Sequence, residues 1–308
     1  MASLGRWVFL RLSHSERAAR WASRWGGGLA RRFVAGDTLE EAVEETRRLN
    51  EQGFAVTLDH LGESVRDAAA AQAAAAEYVQ AVRALVEAGL RATVSLKLTQ
   101  MGLDIDRGLC AENVRRILEA ARPAGLLVRI DMESSAYTDV TLELYRSFRA
   151  EGFDNVGIVL QAYLRRSIDD LRSLAPLRPN VRIVKGAYDE PPHLAYQGRE
   201  AIREAYRRLL DEAWSACSRV AIATHDDLLI DYAAEAARRR QVPDDRYEFQ
   251  MLYGVRPELA QSVLRRGYEV RIYLPYGRDW YAYFMRRLAE RPSDAWRFGR
   301  LLLSGRAR

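Results

Sequence analysis

The chain has 308 residues, of which 48% are hydrophobic and 29% charged, a composition that is ordinary for a globular protein with a sizeable core. A net charge of +5 would suit nucleic acid, but the 47 basic and 42 acidic residues are interspersed along helical segments, which describes a solvated surface, so no nucleic-acid partner is expected. The two cysteines, Cys110 and Cys217, belong to no CxxC or Cys/His cluster, which argues against a disulfide framework or a bound metal and favours a cytoplasmic setting.

Residues 1–45 are predicted to form a helical arm, interrupted by the glycines of WGGGLA. This segment lacks the apolar stretch of a secretory signal, and no apolar run in the chain is long enough to span a membrane. An arginine-rich amphipathic segment of this kind either packs on its own domain or lies on a membrane surface. The stretch DTLEEAVEETRRLNEQG then begins with a capping pattern and ends at Gly53.

From Phe54 onward, apolar β-branched runs alternate with amphipathic helical stretches. The candidate strands are, in order, FAVTLDHL, ATVSLKL, LLVRIDM, VGIVLQAY, VRIVKGAY, RVAIATHD, YEFQMLYG and YEVRIYLP. Eight βα units predict an α/β fold, a TIM-like (β/α)8 barrel over residues 46–290, followed by a C-terminal tail at 291–308. The competing doubly wound sheet usually has fewer strands, and no GxGxxG turn follows the first strand.

Polar residues occupy one face of several strands, because alternate residues of a strand point to opposite sides. In ATVSLKL the apolar residues from Val94 face the helices, while Lys97 faces the barrel interior. The catalytic residues of such barrels lie at the C-terminal ends of the strands. The residues expected to converge on that mouth are Lys97, Asp131, Gln161, Arg182, Lys185, Thr224, His225 and Tyr273. Lys97 and Lys185 are the two lysines of the chain, so both are expected to line a cavity where a charge is useful.

A final helix is predicted in YGRDWYAYFMRRLAERP, where it carries an arginine pair. Tyr283 and Arg287 are four residues apart, as are Arg286 and Glu290, so each pair shares a helix face. Two arginines can clamp a carboxylate with bidentate hydrogen bonds. In a chain so rich in arginine, a solvated Arg/Glu surface pair is the alternative.

Together, the segments SLKLTQMG, RIDMES, VLQAYLRR, VRIVKGAY, ATHD, YEFQMLYG, RIYLPYG and YFMRRLAE resemble the proline dehydrogenase family. The likeness runs from about Phe54 to Glu290 and covers all eight strands in order. It implies an FAD-dependent enzyme that oxidises L-proline to Δ1-pyrroline-5-carboxylate, the first step of proline catabolism. It also implies that the final helix caps the barrel mouth.

The resemblance assigns roles to single residues. It places Asp131 and Arg182 in catalysis, Arg182 near the flavin N5, and Glu290 in an ion pair that forms when the final helix closes. The substrate residues it implies are Lys97, Tyr273, Tyr283, Arg286 and Arg287. The FAD contacts it implies are Met132, Gln161, Arg182, Val184, Lys185, Gly186, Ala187, Thr224 and His225. Gly186 is expected to let the backbone approach the cofactor, and the bulk of Tyr273 favours proline over hydroxyproline.

By the same resemblance, electrons pass to membrane quinone, which implies peripheral contact with the inner face of a membrane through the N-terminal arm. A separate pyrroline-5-carboxylate dehydrogenase would take the product. Two alternatives remain at this stage. One is a flavin-free lyase or aldolase that forms a Schiff base on Lys97 or Lys185. The other is a binding module, which gives no reason for polar residues to collect at one barrel mouth.

Overall fold

Eight parallel strands close into a barrel, in which each strand pairs with the next in the chain and β8 pairs with β1. The computed structural model describes residues 32–62, 65–280 and 283. The strands are β1 Ala55–His60, β2 Ala92–Leu96, β3 Val128–Ile130, β4 Val156–Gln161, β5 Asn180–Val184, β6 Arg219–Ala223, β7 Tyr247–Leu252 and β8 Val270–Tyr276. This architecture confirms the predicted (β/α)8 barrel.

Helices precede the first strand and follow each of the first seven, within the described residues. They are α1 Leu39–Glu51, α2 Ala68–Glu87, α3 Arg107–Ala121, α4 Thr138–Ala150, α5 Ser167–Leu174, α6 Arg199–Ala216, α7 Asp227–Arg239 and α8 Pro257–Arg265. Short 3-10 turns occur at Arg122–Ala124, Ser135–Tyr137, Ala175–Leu177 and Asp244–Arg246. Within the described residues, no helix combines the length and the apolar character that crossing a membrane requires.

The helix α1 begins at a capping box, as its sequence predicts. The Thr38 hydroxyl accepts from the backbone N–H of Glu41, and the Glu41 carboxylate accepts from the backbone N–H of Thr38. Its buried face, which includes Leu49, joins the main core. The predicted boundary between arm and barrel at residue 45 lies within this helix. Residues 1–31, most of the predicted final helix and the 291–308 tail lie outside the described residues.

The barrel wall separates an apolar outer layer from a polar interior. Val94, Leu96 and Leu98 are fully buried in the main hydrophobic core, on the side of β2 that faces the helices. On the other face of β2, Thr93 contacts Thr57 of β1 through the two hydroxyls, and Ser95 donates to Asp131 after β3. The alternation read from the sequence is therefore confirmed, and it aims the polar side chains inward.

Candidate active site

A carboxylate, a guanidinium and a phenol meet at the C-terminal end of the barrel. Arg182 on β5 donates from Nη1 to Asp131 Oδ1 at 2.6 Å, and the Tyr273 hydroxyl on β8 donates to Asp131 Oδ2 at 2.8 Å. The Arg182 Cζ atom lies 5.1 Å from the centre of the Tyr273 ring. Burial and the nearby Asp131 charge raise the pKa of Tyr273 well above its ordinary value. The phenol therefore stays protonated and acts as a donor.

One nitrogen of Arg182 is available for a ligand. The side chain is buried, and its Nε donates to Gln250 Oε1 at 2.6 Å. Its Nη2 is also buried, and among the described residues it has no hydrogen-bond partner. An unsatisfied N–H of a buried cation is costly, so this position fits a ligand that brings an acceptor to the mouth.

Lys97 lies just after β2 and points into the barrel, as the strand alternation predicts. Its Nζ is 3.4 Å from both carboxylate oxygens of Asp59 on β1. The Lys97 side chain is 12% exposed and that of Asp59 only 1%. The distance is long for a charge-assisted hydrogen bond, so the contact between Lys97 and Asp59 is a weak one.

Lys185 lies at the mouth but outside the barrel interior, where it forms part of a three-residue ionic cluster. Its Nζ donates to Asp226 Oδ2 at 2.5 Å, and Arg203 of α6 donates to the same carboxylate from Nε at 2.8 Å and Nη2 at 3.0 Å. Burial alone would raise the pKa of Asp226, but the hydrogen bonds from Arg203 and Lys185 outweigh it and hold the pKa well below its usual range.

The end of β5 also carries Gly186, whose φ is +112°. A Cβ at this position would collide with the Tyr163 ring. The backbone N–H of Tyr163 in turn donates to the carbonyl of Lys185 at 2.9 Å. The close contact with Tyr163 therefore requires glycine at this position by itself, in addition to the cofactor approach predicted for Gly186. Val184 and Ala187, on either side of this turn, are half-buried.

The remaining predicted cofactor residues hold loops at the mouth. Gln161 donates from Nε2 to the Glu133 carbonyl at 2.7 Å, and the Thr224 hydroxyl accepts from the backbone N–H of Asp226 at 3.2 Å. His225 accepts the backbone N–H of Leu252 on Nε2 at 3.1 Å, which assigns the proton of a neutral ring to Nδ1.

Met132 and Tyr283 are both buried, but only the first is placed in the core. The Met132 side chain is packed in the main hydrophobic core, on the outer side of the β3 end. Tyr283 is 5% exposed. Arg286, Arg287 and Glu290 of the final helix lie outside the described residues, so their roles stay predictions.

Four polar residues at this end of the barrel were missed by the sequence analysis: Asp59, Glu133, Asp226 and Gln250. Asp59 and Gln250 occupy inward positions late in β1 and β7, so the alternation used for the other strands would have found them. Asp226 directly follows the His225 that was selected. Glu133 accepts from the Thr99 hydroxyl at 2.6 Å and from the Thr99 backbone N–H at 3.1 Å, and no periodicity points to this contact between loops.

Comparison with known proteins agrees with this geometry. A family model described as "Proline dehydrogenase" matches residues 42–297. The chain is 41% identical to proline dehydrogenase 1 of Bacillus subtilis (strain 168), over 94% of this chain and 96% of that protein. It is 42% identical to the proline dehydrogenase of Deinococcus radiodurans, over 87% of each.

The fold is similar to that of the proline utilization A (PutA) protein from Bdellovibrio bacteriovorus, in a crystal structure of the protein inactivated by N-propargylglycine. The TM-score is 0.80 and the sequence identity 25%, over 85% of this chain and 32% of that chain. The chain thus spans about a third of that structural relative. With the family model and the two dehydrogenases, this likeness shows that the chain belongs to the proline dehydrogenase family.

Proposed function

We propose that the protein oxidises L-proline to Δ1-pyrroline-5-carboxylate with FAD as its cofactor, in proline catabolism. Family membership supports the reaction. The observation that carries the proposal is the mouth of the barrel, where Arg182 has an unsatisfied buried nitrogen beside Asp131, Tyr273 and Lys97. Such a set of convergent polar groups can bind and orient an anionic substrate and a polar cofactor.

The residues that would hold FAD lie at the ends of β3, β4, β5 and β6. Arg182 would donate from Nη2, and the neutral His225 ring would donate from Nδ1. The other contacts proposed are Met132, Gln161, Val184, Lys185, Gly186, Ala187 and Thr224. When bound, FAD supplies an acceptor for the hydride that leaves the ring carbon next to the proline nitrogen.

Lys97 would bind the proline carboxylate together with Arg286 and Arg287. The Lys97 ammonium has three N–H donors, so in this proposal it keeps its 3.4 Å contact with Asp59 and also donates to the substrate carboxylate. The clamp would orient the ring, and fixed orientation can supply several kcal/mol of the rate enhancement. The pocket cations would also disfavour the protonated form of the substrate amine, so that water can take its proton.

Tyr273 and Tyr283 would form walls for the proline ring. The Tyr273 hydroxyl is held by Asp131, which keeps the phenol in one position. A wall fixed in this way leaves little room for a ring hydroxyl, so we propose a preference for proline over hydroxyproline. The exchange Tyr273→Ser is expected to relax this preference.

The reduced cofactor must be reoxidised and the product consumed. We propose quinone as the acceptor, reached by peripheral contact with a membrane surface, and a pyrroline-5-carboxylate dehydrogenase as the consumer. The ring of Δ1-pyrroline-5-carboxylate opens in water to an aldehyde, which suits oxidation by a dehydrogenase. A bifunctional PutA protein of Escherichia coli is 29% identical over 85% of this chain and 23% of its own length.

An absorption spectrum recorded without oxygen, before and after L-proline, tests the proposal. Flavin bands that bleach with L-proline and persist with D-proline are the expected result. A protein that stays colourless with added FAD would contradict it. In that case, borohydride trapping of substrate on Lys97 or Lys185 would support the Schiff-base alternative.

A further inference from the structure

A line of buried side chains runs from Arg182 down the interior of the barrel along β7. Arg182 Nε donates to Gln250 Oε1 at 2.6 Å, and Gln250 Nε2 donates to Glu248 Oε1 at 2.5 Å. Each of the three residues is 3% exposed. Gln250 and Glu248 are two positions apart on one strand, so they share the inward face.

Glu248 determines which way the Gln250 amide points. Arg271 Nε and Arg219 Nη2 donate to its carboxylate, at 2.8 Å and 3.1 Å. Burial alone would raise the pKa of Glu248, but the two arginines outweigh it and lower the pKa below its ordinary value. An ionised carboxylate only accepts hydrogen bonds. Gln250 must therefore turn its NH2 group to Glu248 and its carbonyl oxygen to Arg182.

The guanidinium of Arg182 is consequently held at two of its three nitrogens. Gln250 binds Nε, and Asp131 binds Nη1 at 2.6 Å. Because the guanidinium is planar, these two bonds fix the direction of the third nitrogen, Nη2. That nitrogen has no partner among the described residues.

We infer that Gln250, with its amide orientation set by Glu248, is a positioning residue that holds Arg182 so that Nη2 is presented to the flavin. The inference rests on the proposed binding of FAD at this mouth. Gln250 acts only through Arg182. A guanidinium on a flexible stem loses rotamer freedom when it binds, and an arginine ordered beforehand avoids most of that cost.

The variant Gln250→Met removes the acceptor for Nε at nearly constant volume. In the ligand-free protein, hydrogen exchange at the Arg182 Nε–H is expected to speed up at least tenfold, with the NMR signal assigned by its absence in Arg182→Met. FAD affinity, measured by flavin fluorescence, is expected to fall about tenfold, as for loss of a hydrogen bond to a charged group. Asn155→Leu is the control, because it removes side-chain hydrogen bonds to the Leu118 and Leu126 carbonyls at the other end of the barrel.

The double variant Glu248→Gln/Gln250→Glu keeps an acceptor for Arg182 Nε and a hydrogen bond between positions 248 and 250, and it moves the negative charge next to Arg182. It loses the bond from Arg271 Nε, because the new NH2 group at position 248 cannot accept. It is expected to restore slow exchange at Nε and FAD affinity within about threefold of the original protein. The carboxylate beside Arg182 should also disfavour reduced flavin. A tenfold lower ratio of FADH2 to FAD affinity corresponds to about 30 mV in the midpoint potential.

Unchanged Nε exchange in Gln250→Met would overturn the inference, as would an FAD affinity that falls no more than in Asn155→Leu. Exchange at the Arg182 Nε–H that stays as fast in the double variant as in Gln250→Met would also overturn it. The exchange measurement uses protein without FAD, so it does not depend on the reaction. If the original protein binds FAD but does not bleach with proline, the proposed function fails and this inference stands.

Discussion

The two lysines of the chain lie in contrasting ion pairs. Lys97 faces the barrel interior and lies 3.4 Å from both carboxylate oxygens of Asp59. Lys185 lies on the rim, 2.5 Å from Asp226, and shares that carboxylate with Arg203. The long contact suits a lysine that also donates to a substrate carboxylate, whereas the short contacts of the cluster hold Lys185 in one position at the rim.

Lys97→Met should give the largest loss, about a hundredfold in kcat/KM for proline, because one charged hydrogen bond contributes about 1.5–3 kcal/mol. Most of the loss should be in KM, measured by steady-state assay with an artificial electron acceptor. Lys185→Met is the matched control, since it removes the same side chain from the other pair. If Lys97→Met lowered the affinity for FAD and not that for proline, the different roles proposed for the two lysines would be contradicted.

Lys185→Met should weaken FAD binding about tenfold, which is about 1.4 kcal/mol, since the ammonium is one of several contacts proposed for FAD. The effect should be smaller than that of Lys97→Met because the other contacts proposed for FAD remain. Titration of the ligand-free protein with FAD measures it. An unchanged dissociation constant would limit Lys185 to a structural role.

The Asp226 cluster should also make stability depend on acid pH. Its pKa is lowered in the folded protein, so its contribution is fully present above the unfolded pKa, about 3.9, and is lost as pH falls through the folded value. Asp226→Asn should therefore flatten the fall of the melting temperature below about pH 4. Asp169→Asn, at an exposed residue, is the control. If the melting temperatures of Asp226→Asn and the original protein fell equally steeply with pH, this pH-dependent contribution of the cluster would be contradicted.

Tyr273→Phe should have the smallest effect, a severalfold loss in kcat/KM, because one hydrogen bond to Asp131 is lost and the ring remains. Steady-state rates with proline and with hydroxyproline measure it. The preference for proline should persist in Tyr273→Phe, since the ring still fills the same space. A preference that collapses would assign the discrimination to the hydroxyl.

The alternation of residues along each strand explains how much of this site is predictable. It placed Lys97, Asp131 and Arg182 inside the barrel, because each lies in or next to a regular strand. The same alternation puts Lys185, three positions after the inward Arg182, on the outer face of β5, just before the chain turns at Gly186 with a positive φ. The side chain then points to Asp226 and Arg203 on the rim.

The hydrogen-bond partner of an inward side chain was harder to predict than the strand face on which that side chain lies. The carboxylate bound to Lys97 comes from β1, 38 residues earlier in the chain, and the amide bound to Arg182 comes from β7, 68 residues later. Strand periodicity gives the direction of a side chain, whereas the pairing of two inward residues depends on the register of the closed barrel. The sequence therefore predicted which residues lie at the barrel mouth but not the hydrogen bonds that hold them in place.

Two dissociation constants, measured on both Lys97→Met and Lys185→Met, test the different roles of the two lysines most directly. One is that of FAD for the ligand-free protein, and the other is that of cyclopentanecarboxylate, a proline-shaped carboxylate without an amine to oxidise, for the FAD-loaded protein. Lys97→Met should weaken the carboxylate and spare FAD, and Lys185→Met should weaken FAD and spare the carboxylate. Equal effects of both variants on both ligands would contradict the separate roles of the two lysines.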